Sequence, residues 1–182
     1  MKSTKKLTLS AAAVAITAVL LMLSSVLGLM ELCVGALASL VVVLIYIEVG
    51  GVYPWLVWAV TSTLSILLLP TKTMGVLYLM LFGLYPMLKA YIEKLRSRSL
   101  WVVIKFVYVT AVIAAFIALT ELVLGVPFFE EMPTLSPLVQ NLVKGGIILL
   151  CYVAFFAYDM FITVLVRLYY QKFRDKFKRI FK

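Results

Sequence analysis

Residues 7–27 read LTLSAAAVAITAVLLMLSSVL, a run of 21 residues without a charge. Coiled as an α-helix with a rise of about 1.5 Å per residue, such a run covers the roughly 30 Å hydrocarbon core of a bilayer. Five more apolar stretches follow, at residues 31–49, 53–69, 73–91, 100–125 and 138–168. Backbone N–H and C=O groups find no water in lipid, so each stretch is expected to close its hydrogen bonds within itself as a helix. The expected fold is all-α: a polytopic integral membrane protein with six transmembrane helices over residues 1–168 and a short tail over residues 169–182.

Composition agrees. Of 182 residues, 65% are apolar and 14% charged, against about 45–50% and about 25% in soluble domains. A water-soluble globular domain is excluded, and so is intrinsic disorder, which needs low hydrophobicity. The breaks between stretches carry helix-ending residues: Gly28; Gly50, Gly51 and Pro54; Pro70 with Thr71 and Lys72; Pro127, Pro133 and Pro137. Pro86 falls inside the fourth stretch, where it is expected to kink the helix or end its regular part early.

The net charge is +9. In a soluble chain that would invite a nucleic-acid partner, but the positions of the cations argue against one. Lys2, Lys5 and Lys6 precede the first stretch. Lys89, Lys94, Arg96 and Arg98 fall between the fourth and fifth. Arg167, Lys172, Arg174, Lys176, Lys178, Arg179 and Lys182 follow the sixth. With six crossings all three groups lie on one side, while Lys72, Glu31, Glu130 and Glu131 lie on the other. The positive-inside rule then puts both termini in the cytoplasm of a cell-membrane protein, expected in a bacterial plasma membrane. The basic start, the first apolar run and Ala36-Leu37-Ala38 also look like a secretory signal. The run exceeds the about 7–15 residues of an h-region, however, and the small residues sit inside the second stretch, so an uncleaved first span is expected.

There is no histidine, and the two cysteines, Cys33 and Cys151, sit inside apolar runs. No metal-binding cluster and no Ser/His/Asp triad can be assembled. Catalytic residues, a metal and a cofactor are not expected, and the chain does not read as an enzyme.

Charges inside apolar stretches are costly, by about 2.5–3.5 kcal/mol at a span's centre on insertion scales, and are functional candidates. Counting along each stretch puts Glu48, Lys105 and Asp159 at similar depth on the inner side. They are expected either to form one polar cluster that couples helix movements, or to divide, with Lys105 and Glu48 snorkelling to the interface and Asp159 paired locally. On the outer side Glu121, Gln140, Asn141 and Lys144 gather near the loop at 127–137, and Tyr78 reaches a similar level. They are either a small-molecule site or an ordinary helix-end interface. Trp55, Trp58 and Trp101 near inner ends read as an aromatic belt. Ala11 and Ala15, Gly35 and Ser39, and Ala114 and Ala118 each have the small-x-x-x-small spacing that lets helices approach closely. In the tail, Tyr169, Phe173, Phe177 and Phe181 recur every four residues among cations. That pattern is expected of an amphipathic helix lying on the anionic inner leaflet or docking on a partner.

A short chain of six spans with both ends inside, the start KSTKKLTLSAAAVAITAVLL and A-x-x-x-A in the first span resembles the S-components of energy-coupling-factor transporters. These are membrane subunits that bind vitamins and other micronutrients. The resemblance implies that Ala11 and Ala15 contact a transmembrane coupling subunit. It further implies that two cytosolic ATPases supply the energy, so that this chain needs no phosphate-binding loop of its own. It implies an outward-facing site for a small-molecule ligand lined by Tyr78, Glu121, Asn141 and Lys144. The first loop, which often caps the substrate in that family, is only residues 28–30 here. A second reading is a non-transporting six-span scaffold resembling the rod-shape-determining membrane proteins of cell-wall elongation. A third, a membrane enzyme or stand-alone permease, is disfavoured by the missing histidines and the missing internal repeat.

Overall fold

The structure is a computed structural model that describes residues 3–28, 30–95, 98–122, 125 and 137–173. Those residues form helices joined by short turns, with no strand among them. The elements are α1 (Ser3–Leu27), α2 (Glu31–Glu48), α3 (Tyr53–Leu68), α4 (Lys72–Leu77), a π-helical segment (Tyr78–Phe82), α5 (Tyr85–Ile92), α6 (Arg98–Leu122) and α7 (Pro137–Leu168), which runs on into a second π-helical turn (Tyr169–Phe173). Five helical stretches are long and apolar enough to cross a membrane: α1, α2, the composite Lys72–Ile92, α6 and α7. The sixth expected span, α3, is apolar but has only 16 residues, about 24 Å of helix.

The exterior is apolar. Leu7, Val19, Leu23, Leu32, Val107, Leu149 and Met160 are all more than half exposed, a surface too continuous for water and natural for lipid. Hydroxyls lie inside. On α1 the buried line is Ser10, Ala13, Thr17, Leu21 and Ser24; on α3 it is Val57, Thr61, Ser62 and Ser65. Gly35, Ala38 and Ser39 face the same seam from α2. Lipid gives helices no hydrophobic reason to associate, so close backbone approach through small residues must supply the packing. Most of these hydroxyls bond their own helix: Thr17 Oγ1 donates to the Ala13 carbonyl at 2.7 Å, Ser65 Oγ to Thr61 at 2.7 Å and Ser39 Oγ to Ala36 at 2.6 Å. Of the small-residue pairs read from the sequence, Gly35 and Ser39 are buried, whereas Ala11, Ala15, Ala114 and Ala118 are exposed.

Turns are short. Gly50 and Gly51 both have φ above +60°, a left-handed conformation that suits glycine. The Gly50 N–H returns to the Ile45 carbonyl at 3.0 Å and closes α2. At the opposite end Ser25 Oγ and Thr71 Oγ1 lie 2.6 Å apart, and Thr71 Oγ1 donates to Glu31 Oε1 at 3.4 Å.

The fourth stretch departs from a regular helix, and Pro86 accounts for the departure. Proline has no N–H to return to the Phe82 carbonyl. Before it the chain opens into π geometry, with the Gly83 N–H bonded to the Tyr78 carbonyl at 2.8 Å. Side chains from three other helices serve the carbonyls of this segment. Trp58 Nε1 donates to Leu79 at 2.9 Å, the Tyr108 hydroxyl donates to Met80, and the Tyr158 hydroxyl reaches Phe82 at 3.5 Å. Glycines make room: a Cβ on Gly35 would sit 2.6 Å from the Phe82 ring, and one on Gly83 would overlap Trp58. Trp58 therefore turns inward to a backbone carbonyl rather than standing in an interfacial belt.

Replacing Trp58 by phenylalanine keeps the ring but leaves the Leu79 carbonyl short of a donor. The purified protein in detergent should lose about 1–3 kcal/mol of stability. An unchanged thermal melting point would show that the bond is dispensable.

Candidate functional site

Four charges on or beside α5, α6 and α7 are brought together by folding: Lys89, Glu93, Lys105 and Asp159. Asp159, on α7, accepts from the Tyr85 hydroxyl and from Lys89 Nζ at Oδ1, and from Lys105 Nζ at Oδ2, 2.8 Å. Lys89 also donates to the Asp159 backbone carbonyl and to Thr163 Oγ1, each at 2.6 Å. Glu93, one turn beyond Lys89, completes the set: its Oε1 lies 3.3 Å from Lys89 Nζ and 3.4 Å from Lys105 Nζ. Two cations thus face two carboxylates. The side chains of Lys89, Lys105 and Asp159 are 4%, 10% and 15% exposed, and that of Glu93 is 35% exposed. Asp159 is held tightly by three donors, while Glu93 is held loosely by two, both on one oxygen.

Local sequence explains the alignment. Lys89 and Glu93 are spaced i,i+4, as are Asp159 and Thr163, so each pair shares a helix face. The Tyr85 ring packs on Phe155 at 4.7 Å and Tyr108 at 5.5 Å between centroids. This aromatic wall shields the carboxylate side of the network. A groove of about 180 Å³ opens beside it, between the ends of α2, α5 and α7. It is walled by Val43, Ile47, Met87, Ala90 and Val166, with Lys89, Glu93 and Thr163 along one edge.

The positions expected from the sequence divide. Lys105 and Asp159 meet directly. Lys105 does not snorkel, since it is 8% exposed and bonded inside. Glu48 stands apart, accepting from the Tyr169 hydroxyl at 2.8 Å. Lys89, read as a loop cation, is instead a buried member of the network, which the i,i+4 partner Glu93 signals. On the other side Tyr78 is fully buried in the core with Phe82 and Tyr158. Its hydroxyl and those of Thr61 and Ser62 are buried without a partner among the described residues. Glu121 and Asn141 are exposed and Lys144 is half-buried on α6 and α7. Loop 126–136 and the tail positions Phe177 and Phe181 lie outside the described residues. Tyr169, the first of the tail aromatics, is buried. No group of three or more metal-binding side chains occurs among the described residues.

The fold and the network define a class: a helical bundle with an apolar, bilayer-compatible exterior and a neutral four-charge network inside. Comparison with protein-family models, with known protein sequences and with solved structures gave no match for the chain.

Because Asp159 answers two lysines, the variants should rank unequally. Asp159→Asn leaves both ammonium groups to the loosely held Glu93, one buried positive charge in excess, and should cost about 3–5 kcal/mol, the scale for orphaning a buried charge. Lys105→Met leaves Asp159 paired with Lys89 and frees the half-exposed Glu93 to hydrate, so it should cost much less. Swapping Lys105→Asp with Asp159→Lys sets a new lysine against Lys89 and should fail to rescue. Chemical or thermal unfolding of the four proteins in one detergent checks the order. Equal losses for Asp159→Asn and Lys105→Met would contradict it.

Proposed function

We propose that the chain crosses the cell membrane six times, with both termini in the cytoplasm, and works as the substrate-binding membrane subunit of an energy-coupling-factor type importer. In this reading a coupling subunit docks on α1 and cytosolic ATPases act in trans. The observation that supports it most directly is the division of α1 into two faces. Ser10, Ala13, Thr17 and Leu21 are spent on packing within the chain, while Ala11 and Ala15 remain exposed. The A-x-x-x-A pair is thus free to receive a second membrane helix at close range. The cargo is a small molecule entering from outside. The sorting of cations to one side supports the topology.

A specific observation favours the scaffold reading as the second. Tyr78 is fully buried in the core while Glu121 and Asn141 are exposed on α6 and α7. A protein that docks partners without carrying cargo needs no outward pocket.

Two experiments test the proposal. Cysteines placed at residues 2 and 182, in a background lacking Cys33 and Cys151, should be shielded from membrane-impermeant maleimide in whole cells and react after lysis. Labelling of either in intact cells refutes the topology. Ala11→Trp with Ala15→Trp should abolish co-purification of a membrane partner while the protein's own melting point holds. A retained partner would remove the docking face. Mass spectrometry of the mildly solubilised wild-type complex separates the two readings: a bound micronutrient-like molecule supports the importer, and a partner with no small molecule supports the scaffold.

A further inference from the structure

The buried network is balanced in number but not in quality. Lys89 and Lys105 share one tightly held carboxylate, Asp159, whose oxygens take both ammonium groups and the Tyr85 hydroxyl. The second negative charge comes from Glu93, and its grip is weak. Both contacts fall on one oxygen, at 3.3 and 3.4 Å, beyond the roughly 2.7–2.9 Å of a good charge-assisted hydrogen bond. Glu93 caps the C-terminus of α5, and its side chain is 35% exposed where that of Asp159 is 15% exposed. The second carboxylate position is therefore occupied by the network's most accessible and least constrained member.

That position opens onto the groove between α2, α5 and α7. Lys89, Glu93 and Thr163 form its polar edge; Val43, Ile47, Met87, Ala90 and Ile162 form an apolar wall beside them. Such a space suits a molecule with one charged end and an apolar body. The charge it favours follows from the surroundings. The C-terminal ends of α2 and α5 lie here, and helix C-termini attract cations. Three exposed cations, Lys94, Arg167 and Lys172, already stand at this end. Behind them the two buried lysines keep only one firm carboxylate between them. Displacing Glu93 would leave Lys89 and Lys105 with Asp159 alone, a net buried positive charge, so a molecule that takes its place must bring a negative charge.

We propose that the groove is a binding site for a small amphiphilic monoanion, a carboxylate on an apolar body, whose charged end takes the place of Glu93 between Lys89 and Lys105. Glu93 is then an internal placeholder that swings towards solvent when the ligand enters, and the network stays neutral in both states. The site lies at the cation-rich end of the bundle, away from Glu121, Asn141 and Lys144, and it stands whether or not the importer reading holds.

The test uses the full-length chain in phosphatidylcholine nanodiscs and three photoreactive ten-carbon probes with a terminal diazirine: a carboxylate, the matching alcohol and the matching amine. Labelled peptides are mapped by mass spectrometry. The carboxylate should label the groove-lining stretches of α2, α5 and α7 saturably and in preference to the other two. Glu93→Gln removes the internal competitor, so labelling at low probe concentration should rise about three- to tenfold as more of the protein becomes competent to bind. Ala90→Trp fills the groove and should abolish labelling. The wild-type comparison of the probes needs no variant, so it decides the matter even if Ala90→Trp fails to fold. Equal labelling by all three would reduce the groove to a place where chains partition, and the proposal falls. Preference for the amine, or weaker carboxylate labelling in Glu93→Gln, overturns it as well. Adding phosphatidylglycerol to the nanodisc tests the anion itself: undiminished labelling supports a carboxylate, and competition, in which a lipid phosphodiester takes the position, overturns that assignment.

Discussion

A charge removed from water must find its opposite, and in this bundle that requirement falls on Asp159. A lone carboxylate in an apolar interior is not tolerated. Lys89 arrives from α5 and Lys105 from α6, and Tyr85 adds a hydroxyl. The relative height and rotation of three helices are fixed by this one residue, because shifting any of them by a turn, about 5.4 Å, would strand an ion. A buried ion pair is weak evidence for stability, since well-packed apolar residues often do as well. What it does confer here is register. Apolar helices with lipid outside and aliphatic side chains between them have few other means of choosing one rotation over another.

The fourth stretch obeys the same logic applied to the backbone. Pro86 interrupts the hydrogen-bond ladder at a depth where water does not substitute. Trp58, Tyr108 and Tyr158 turn their donors to the carbonyls of Leu79, Met80 and Phe82. The π segment and the charge network are neighbours: Tyr85 follows the break directly, and Lys89 lies one turn further on. The irregular backbone thus presents two polar side chains to Asp159 from one short helix. Irregular geometry of this kind inside a helix is often found at functional sites.

The sequence makes the helices plain because their signal, twenty apolar residues between glycines and prolines, is local. The charged core is legible in part. Lys105 and Asp159 stand out as ions within apolar runs, and depth counting brings them to one level. Depth is only one coordinate. Glu48 lies at a similar height but at another azimuth, on Tyr169, and nothing in its own helix reveals that. Lys89 hides for a different reason: it lies close to Lys94, Arg96 and Arg98, and it reads as one more flanking cation until its i,i+4 spacing to Glu93 is weighed. The Ala11–Ala15 pattern shows the converse. Within the chain the helix packs through Ser10, Ala13 and Thr17 instead, the two hydroxyls being satisfied by their own backbone and so able to face another helix.

The two ends of the molecule are built differently, and the difference bears on where chemistry resides. At the cation-rich end α5, α6 and α7 are joined by ions, hydroxyls and aromatic rings. Towards the other end α7 exposes Leu138, Leu142, Leu149 and Leu150, and glycines 145 and 146 have no neighbouring group within contact distance of a Cβ. The Asp159 network is thus one point at which α6 and α7 are joined to α5. Any ligand or partner that alters the Asp159 network acts on a point where α6 and α7 are held to the rest of the bundle. Glu93 is the network's most exposed member, and an anion that takes its place keeps the two buried lysines balanced, so a displacement there can be transmitted while the Asp159 clamp itself stays closed.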